Sequence, residues 1–278
     1  MTTGKVTVLM YHRLGSGRLP GREEGEEVYA VTPESFEAHL EALAAARTRV
    51  IDPGTLYSAQ AGPPAGGEPA VCLTFDDGNR SDHSVGLPAL RRRGWRALFF
   101  IVPAWVGEPG YLSWPEVREL CREGMAVGAH GFDHTWFARL DDSGIRRQLR
   151  EARRLLEAEL GAAPAALSLP GGSGGSRAVR VAQEEGFVLV ATSDPWLARP
   201  DAGVAPLPRF ALRRGDAPET VRALAEQRPA TVGRWGARHL LLHSLRALLG
   251  EGSYARVRGK WVDRGEDAAH GAAGGRAQ

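Results

Sequence analysis

A chain of 278 residues with 43% apolar side chains can bury a full core, as one large domain or two smaller ones. Its 35 basic and 33 acidic residues leave a net charge of only +2, and the basic ones are scattered, which removes nucleic acid from the implied partners. No apolar run approaches the roughly 18 residues of a membrane span, and no basic, apolar and small-residue series opens the chain as an export signal would, so a single cytoplasmic domain is expected.

Short apolar runs alternate with longer helical patterns, the signature of βα units around a mostly parallel sheet. Strands are expected near Val6–Met10, Val50–Ile51, Val71–Phe75, Ala97–Val102, Ala126–Gly128, Ala166–Leu169, Val188–Ala191 and Leu240–Leu242. Between them the spacing predicts helices over Ser35–Ala46, Pro88–Arg93, Pro115–Glu123, Ser143–Leu160, Arg177–Glu185 and Pro218–Gln227. The longest has apolar residues at Ile145, Leu149, Ala152, Leu155, Leu156 and Leu160, a stripe suited to covering one face of a sheet. Cys72 and Cys121 lack a Cys-x-x-Cys partner and read as two small buried hydrophobes. The run Ala61–Pro69 reads as a surface loop. Residues 263–278, rich in Gly, Ala and charge, read as a flexible tail, which leaves 1–262 as a single domain. So many alternations fit an α/β fold of the distorted (β/α) barrel kind most economically.

The chemistry concentrates where predicted strands end. The run Ala70-Val71-Cys72-Leu73-Thr74-Phe75 leads into Asp76-Asp77-Gly78. Adjacent carboxylates repel and lose hydration together, so they need a cation or a shared proton nearby. About fifty residues on, the chain reads His130-Gly131-Phe132-Asp133-His134, and two imidazoles so placed suit zinc or a similar divalent ion. Asp77, His130 and His134 would make a three-ligand set with one position open, the arrangement of catalytic zinc, leaving Asp76 free as a base. The Pro170-Gly171-Gly172 loop and His243 also follow predicted strands, and barrel enzymes gather their chemistry at such ends. His12 and the aromatics Trp105, Trp136 and Trp196 are further candidates to face a substrate.

Taken together and in this order, these segments resemble the polysaccharide deacetylases, carbohydrate esterase family four, with its NodB homology domain. Leu73-Thr74-Phe75-Asp76-Asp77-Gly78 is similar to the family's first motif and His130-x-x-x-His134 to its second. Leu169-Pro170-Gly171-Gly172 followed by Gly186-Phe187 resembles the third region, and Leu241-Leu242-His243 the last. The opening Val8-Leu9-Met10-Tyr11-His12 is common in one branch. The resemblance implies a NodB-like distorted barrel that uses a divalent metal, with zinc favoured, to hydrolyse an N-acetyl group on an amino sugar or sugar conjugate. It implies Asp76 as general base and His243 as general acid, with Asp77, His130 and His134 on the metal. It also implies that the Gly171 N–H binds the oxyanion and that Leu241 lines the acetyl pocket.

Three departures stand out. Gly131 occupies the place of a family Ser or Thr, and Ser168-Leu169 replaces the arginine that orients the catalytic aspartate. Arg209, in Leu207-Pro208-Arg209-Phe210, is the candidate replacement, and Asp194 is the candidate carboxylate for steadying the acid histidine. Two rivals remain at this point: a cyclic amide or ureide hydrolase on the same barrel, and a non-catalytic carbohydrate-binding relative. The expected substrate is cytoplasmic, such as a lipid- or nucleotide-linked sugar.

Overall fold

The structure is a computed structural model and describes residues 4–16, 26–56, 68–172, 174–199, 206–241 and 244. Most of the expected loop over residues 61–69, His243 and the expected tail 263–278 lie outside the described residues.

The elements in chain order are β1 (Val6–Tyr11), α1 (Pro33–Ala45), β2 (Arg49–Val50), β3 (Ala70–Phe75), α2 (Leu87–Arg92) and β4 (Ala97–Ile101). There follow α3 (Trp114–Arg122), β5 (Ala126–Ala129), α4 (Asp142–Leu160), β6 (Ala166–Ser168), α5 (Gly175–Glu184), β7 (Leu189–Ala191), β8 (Phe210–Ala211) and α6 (Pro218–Ala225). A last helix, α7, covers 229–241. Local chemistry marks the ends. Asp141 caps α4 by accepting the Gly144 N–H at 2.7 Å, and Gly161, at φ +78°, closes it in the left-handed region. Ser113 and Glu116 form a reciprocal capping box at the start of α3.

The sheet is parallel and eight-stranded, in the order β7-β6-β5-β4-β3-β1-β8, with β2 pairing the start of β3. It curls until its edges meet. A parallel bridge joins Ala191, at the end of β7, to Leu207, just before β8, with Leu207 N–H donating to Val190 O at 2.8 Å. The distorted barrel expected from the alternation of elements is the fold observed.

Side-chain alternation along these strands produces two cores. Leu9, Tyr11, Leu73, Phe75, Phe99 and Ile101 point outward against the helices. Val6, Val8, Cys72, Leu98, Phe100, Ala166 and Leu207 fill the barrel interior. Counting on by twos from the interior set reaches His12, Thr74, Asp76, Ser168 and Arg209. The period that packs the barrel therefore also aims these polar groups inward at its C-terminal end.

Two expectations are corrected. Leu240 and Leu241 belong to α7, not to a strand, and both are more than half exposed. A three-residue apolar run is too short to separate strand from helix by period alone. The strand beside β1 is instead Phe210–Ala211. Cys121 is exposed, because the buried stripe of α3 is Val117 and Leu120, whereas Cys72 is buried inside the barrel.

Gly128 shows how tightly β5 packs, since a Cβ there would meet the Ala166 carbonyl oxygen and the Phe100 ring at 2.8 Å. Gly128→Ala is expected to cost about 1–3 kcal/mol in urea unfolding through this overlap. Gly233→Ala, at a position in α7 with nothing within 4 Å, is expected to gain about 0.5–1 kcal/mol.

Candidate active site

Asp76 and Asp77 continue β3 past its last residue. The Asp76 N–H donates to Tyr11 O at 2.9 Å, extending the β1–β3 ladder and setting His12 across from Asp76. At Asp77 the backbone turns left-handed, with φ +79°, and Gly78 follows at φ +71°. His134 is also left-handed, at φ +66°. Non-glycine residues in this region are uncommon and gather where function requires a particular side-chain direction.

His130 leaves β5 with its N–H on Ile101 O at 2.8 Å. Its Nδ1 lies 2.9 Å from Ser168 O. A carbonyl only accepts, so Nδ1 carries the proton and the Nε2 lone pair is left for a cation. That Nε2 is 3.5 Å from Asp77 Oδ1, and His134 Nε2 is 3.7 Å from the same oxygen. The donor atoms of Asp77, His130 and His134 all lie within 4.8 Å of one another, so the three predicted ligands converge. One carboxylate oxygen and two imidazole nitrogens at that spacing fit a zinc-like divalent ion. The Gln148 side chain on α4 holds the loop by accepting the Phe132 and Asp133 N–H groups at 2.9 and 3.3 Å. Trp105 packs on the His134 ring with centroids 4.9 Å apart.

Arg209, the candidate replacement for the missing arginine, reaches Asp76. It is fully buried on the segment that closes the barrel, with Nη1 2.7 Å from Asp76 Oδ1 and Nη2 2.8 Å from Oδ2. Ser168 completes the arrangement: its hydroxyl lies 2.9 Å from Asp76 Oδ2 and accepts from Arg209 Nη2 at 2.7 Å. The Arg209 Nε donates to Thr192 O at 2.9 Å. Burial alone would raise the Asp76 carboxyl, but Arg209, with His130 next, reverses this and holds it well below the usual carboxylate range. Asp76 is thus ionised and fixed in orientation.

The glycines of the third region are wedged in place. A Cβ on Gly171 would strike the Trp136 ring at 2.9 Å, and one on Gly172 would strike Ser193 Oγ at 2.5 Å. Both residues have positive φ, and Pro170 beside them is buried. At Gly131 a Cβ would lie 3.0 Å from the Pro170 ring, so losing the family's Ser or Thr lets the second and third motifs close on each other. Asp194 lies 3.3 Å from His239 on α7. His243, the residue it was expected to steady, lies outside the described residues. Trp196 is 42% exposed, its ring edge close to Gly236.

Over residues 64–190 the chain matches the family model described as polysaccharide deacetylase. The matched stretch carries Asp76, Asp77, His130, His134 and the Pro170-Gly171-Gly172 turn. The Bacillus subtilis protein YxkH is 24% identical over 216 residues, covering 76% of this chain and 72% of its own. The peptidoglycan-N-acetylglucosamine deacetylase of Bacillus cereus is 27% identical over 121 residues, 43% of this chain and 42% of its own. Among solved structures, the Streptococcus pyogenes deacetylase PplD, determined with acetate, has the same fold: the TM-score is 0.68 at 21% identity, over 78% of this chain and 96% of that one.

Two residues at this end of the barrel, Ser168 and Asp82, are not among the expected site residues. The family's motifs offer no signal for Ser168 beyond the loss of arginine at that place. Asp82 opens the π-helical turn Asp82–Gly86 ahead of α2, and neither of its buried carboxyl oxygens has a hydrogen-bond partner among the described residues. Burial first, then the charges of Asp77 and Asp76, push its pKa well above the ordinary value.

A carboxyl whose folded pKa is raised keeps its proton after the unfolded chain has released it, so its contribution to stability falls as pH rises from about 4. Asp82→Asn removes that dependence. Its stability relative to wild type is expected to improve from pH 4 to pH 7, as read from urea midpoints at both values. Arg209→Met, which strands the buried Asp76 charge, is expected to cost about 3–5 kcal/mol in the same assay.

Proposed function

We propose that this chain is a divalent-metal-dependent hydrolase, with zinc the best-suited ion, that removes the N-acetyl group from an amino sugar in a glycan or sugar conjugate. The observation that carries this reading is the convergence of Asp77, His130 and His134 beside an Asp76 held by Arg209 at the C-terminal end of the barrel. The amino-sugar substrate is supported by the name of the Bacillus cereus relative, which specifies N-acetylglucosamine.

When bound, a divalent ion at these donors polarises an acyl oxygen and lowers the pKa of water. Asp76, kept anionic by Arg209, accepts a proton from the attacking water. The Gly171 N–H, on the exposed turn after Pro170, donates to the acyl oxygen as charge builds on it, a contribution worth a few kcal/mol in such sites. As the C–N bond breaks, the departing nitrogen needs a proton. His12 supplies it in this reading: it follows Tyr11 at the end of β1, across the ladder from Asp76, and although burial lowers its pKa, the charges of Asp77 and Asp76 oppose that shift and favour the protonated ring. Acetate and a free amine result. Trp196 offers an apolar face to a sugar ring.

The test combines elemental analysis with acetate release from N-acetylglucosamine oligomers, with cyclic imides as the contrasting substrates. Asp76→Asn is expected to keep its metal and lose about 10²–10⁴-fold in turnover, whereas Asp77→Ala is expected to lose the metal. Unchanged acetate release in either variant, or turnover of imides alone, overturns the reading. His12→Asn and His243→Asn, compared side by side, identify the acid. A loss of about 10²-fold or more confined to His243→Asn would return that role to the last motif.

A further inference from the structure

We infer that Tyr29 is the positioning residue for His12, held from behind by Arg213 and Trp235. The inference rests on the reading of His12 as proton donor. A donor histidine needs its ring fixed, commonly by a carboxylate or carbonyl on the second nitrogen. His130 has such a partner in Ser168 O. His12 does not: its buried Nδ1 has no hydrogen-bond partner among the described residues. What meets the ring is Tyr29, stacked on it with centroids 4.9 Å apart and planes inclined by 29°.

Tyr29 is itself held on several sides. Its segment is pinned to the end of β1, with Val31 N–H on Arg13 O at 3.0 Å and Gly15 N–H on Val31 O at 2.8 Å. Beyond β8, the Arg214 N–H donates to Val28 O at 2.9 Å. The Arg213 guanidinium lies 5.8 Å from the Tyr29 ring centre and 5.9 Å from that of Trp235 on α7, and Trp235 meets Phe210 of β8 edge-on at 5.7 Å. Face contacts between guanidinium and ring are favourable and directional. A continuous chain of flat groups thus runs from α7 to the imidazole and supports its plane, where Nδ1 has no hydrogen-bond partner among the described residues. Misplacing a reacting group by about 1 Å costs on the order of 10²-fold in rate, which is the size of effect such a support can have.

The experiment compares an N-acetylglucosamine oligomer with 4-methylumbelliferyl acetate, whose phenolate leaves without being protonated. Tyr29→Leu is expected to lower kcat on the amide by about 10–100-fold with KM and metal content unchanged, while ester turnover stays near wild type. Tyr29→Phe is expected to recover most of the amide rate. Arg213→Met, which leaves Tyr29 in place, is expected to shift the amide-to-ester ratio in the same direction and serves if Tyr29→Leu does not fold. Equal losses on both substrates, or an amide kcat unchanged in both the Tyr29→Leu and Arg213→Met variants, overturn the inference. His12→Asn separates the two levels. A ratio moved there but not in the Tyr29 and Arg213 variants defeats the positioning role alone, and a ratio unmoved in His12→Asn defeats the donor reading and the inference with it.

Discussion

Inside the barrel, a fully buried guanidinium and an almost fully buried carboxylate face each other through two hydrogen bonds of 2.7 and 2.8 Å. Neither charge could occupy that interior alone, because an unpaired buried ion costs several kcal/mol after every relaxation the protein can make. Their pairing dictates much else. Ser168 must present a hydroxyl to both, Thr192 must turn its carbonyl to the Arg209 Nε, and Phe100 lies with its ring centre 5.2 Å from the guanidinium carbon. Strands β3, β4 and β6 and the segment before β8 thereby meet at one polar knot, and Asp76 acquires a single direction.

That knot explains how one barrel tolerates so dense a set of carboxyls. Asp76 is neutralised by Arg209, Asp77 lies between two imidazole nitrogens, and Asp82 is pushed toward its protonated form by burial and then by its two neighbours. Three acids within seven positions are therefore managed by three different means. Backbone geometry bears part of the cost, with Asp77 and His134 both held at positive φ.

Legibility in the sequence follows contiguity. Asp77, His130 and His134 lie in two short segments whose residue types have few other uses together, so the cluster is readable from the residues alone. Helices with strong caps, such as α4, are readable to within a residue or two for the same reason. Arg209 is recoverable only because a known requirement lacks its usual residue. What escapes depends on contacts between distant segments. The two residues of β8 are too few to show a period, and their pairing with β1 is decided by barrel closure. Leu240 and Leu241 read as a strand because three leucines carry no phase, whereas Trp235 and Gly236 earlier in α7 tie that segment to β8 and Trp196 as a helix. Ser168 and Tyr29 are ordinary residues whose roles come from what lies across from them, 92 and 17 positions away.

The position of Arg209 along the chain also has a consequence for biosynthesis. A polypeptide emerging from the ribosome exposes Asp77, His130 and His134 long before the stretch that carries the counter-charge of Asp76 has been translated. Until residues near 209 reach the gap between the first and seventh strands, the carboxylate lacks its cation and the sheet still has two open edges. The surroundings of Asp76 are therefore completed only by the final stitch of the cylinder, a segment whose Arg209 and Phe210 are fully buried once it is in place.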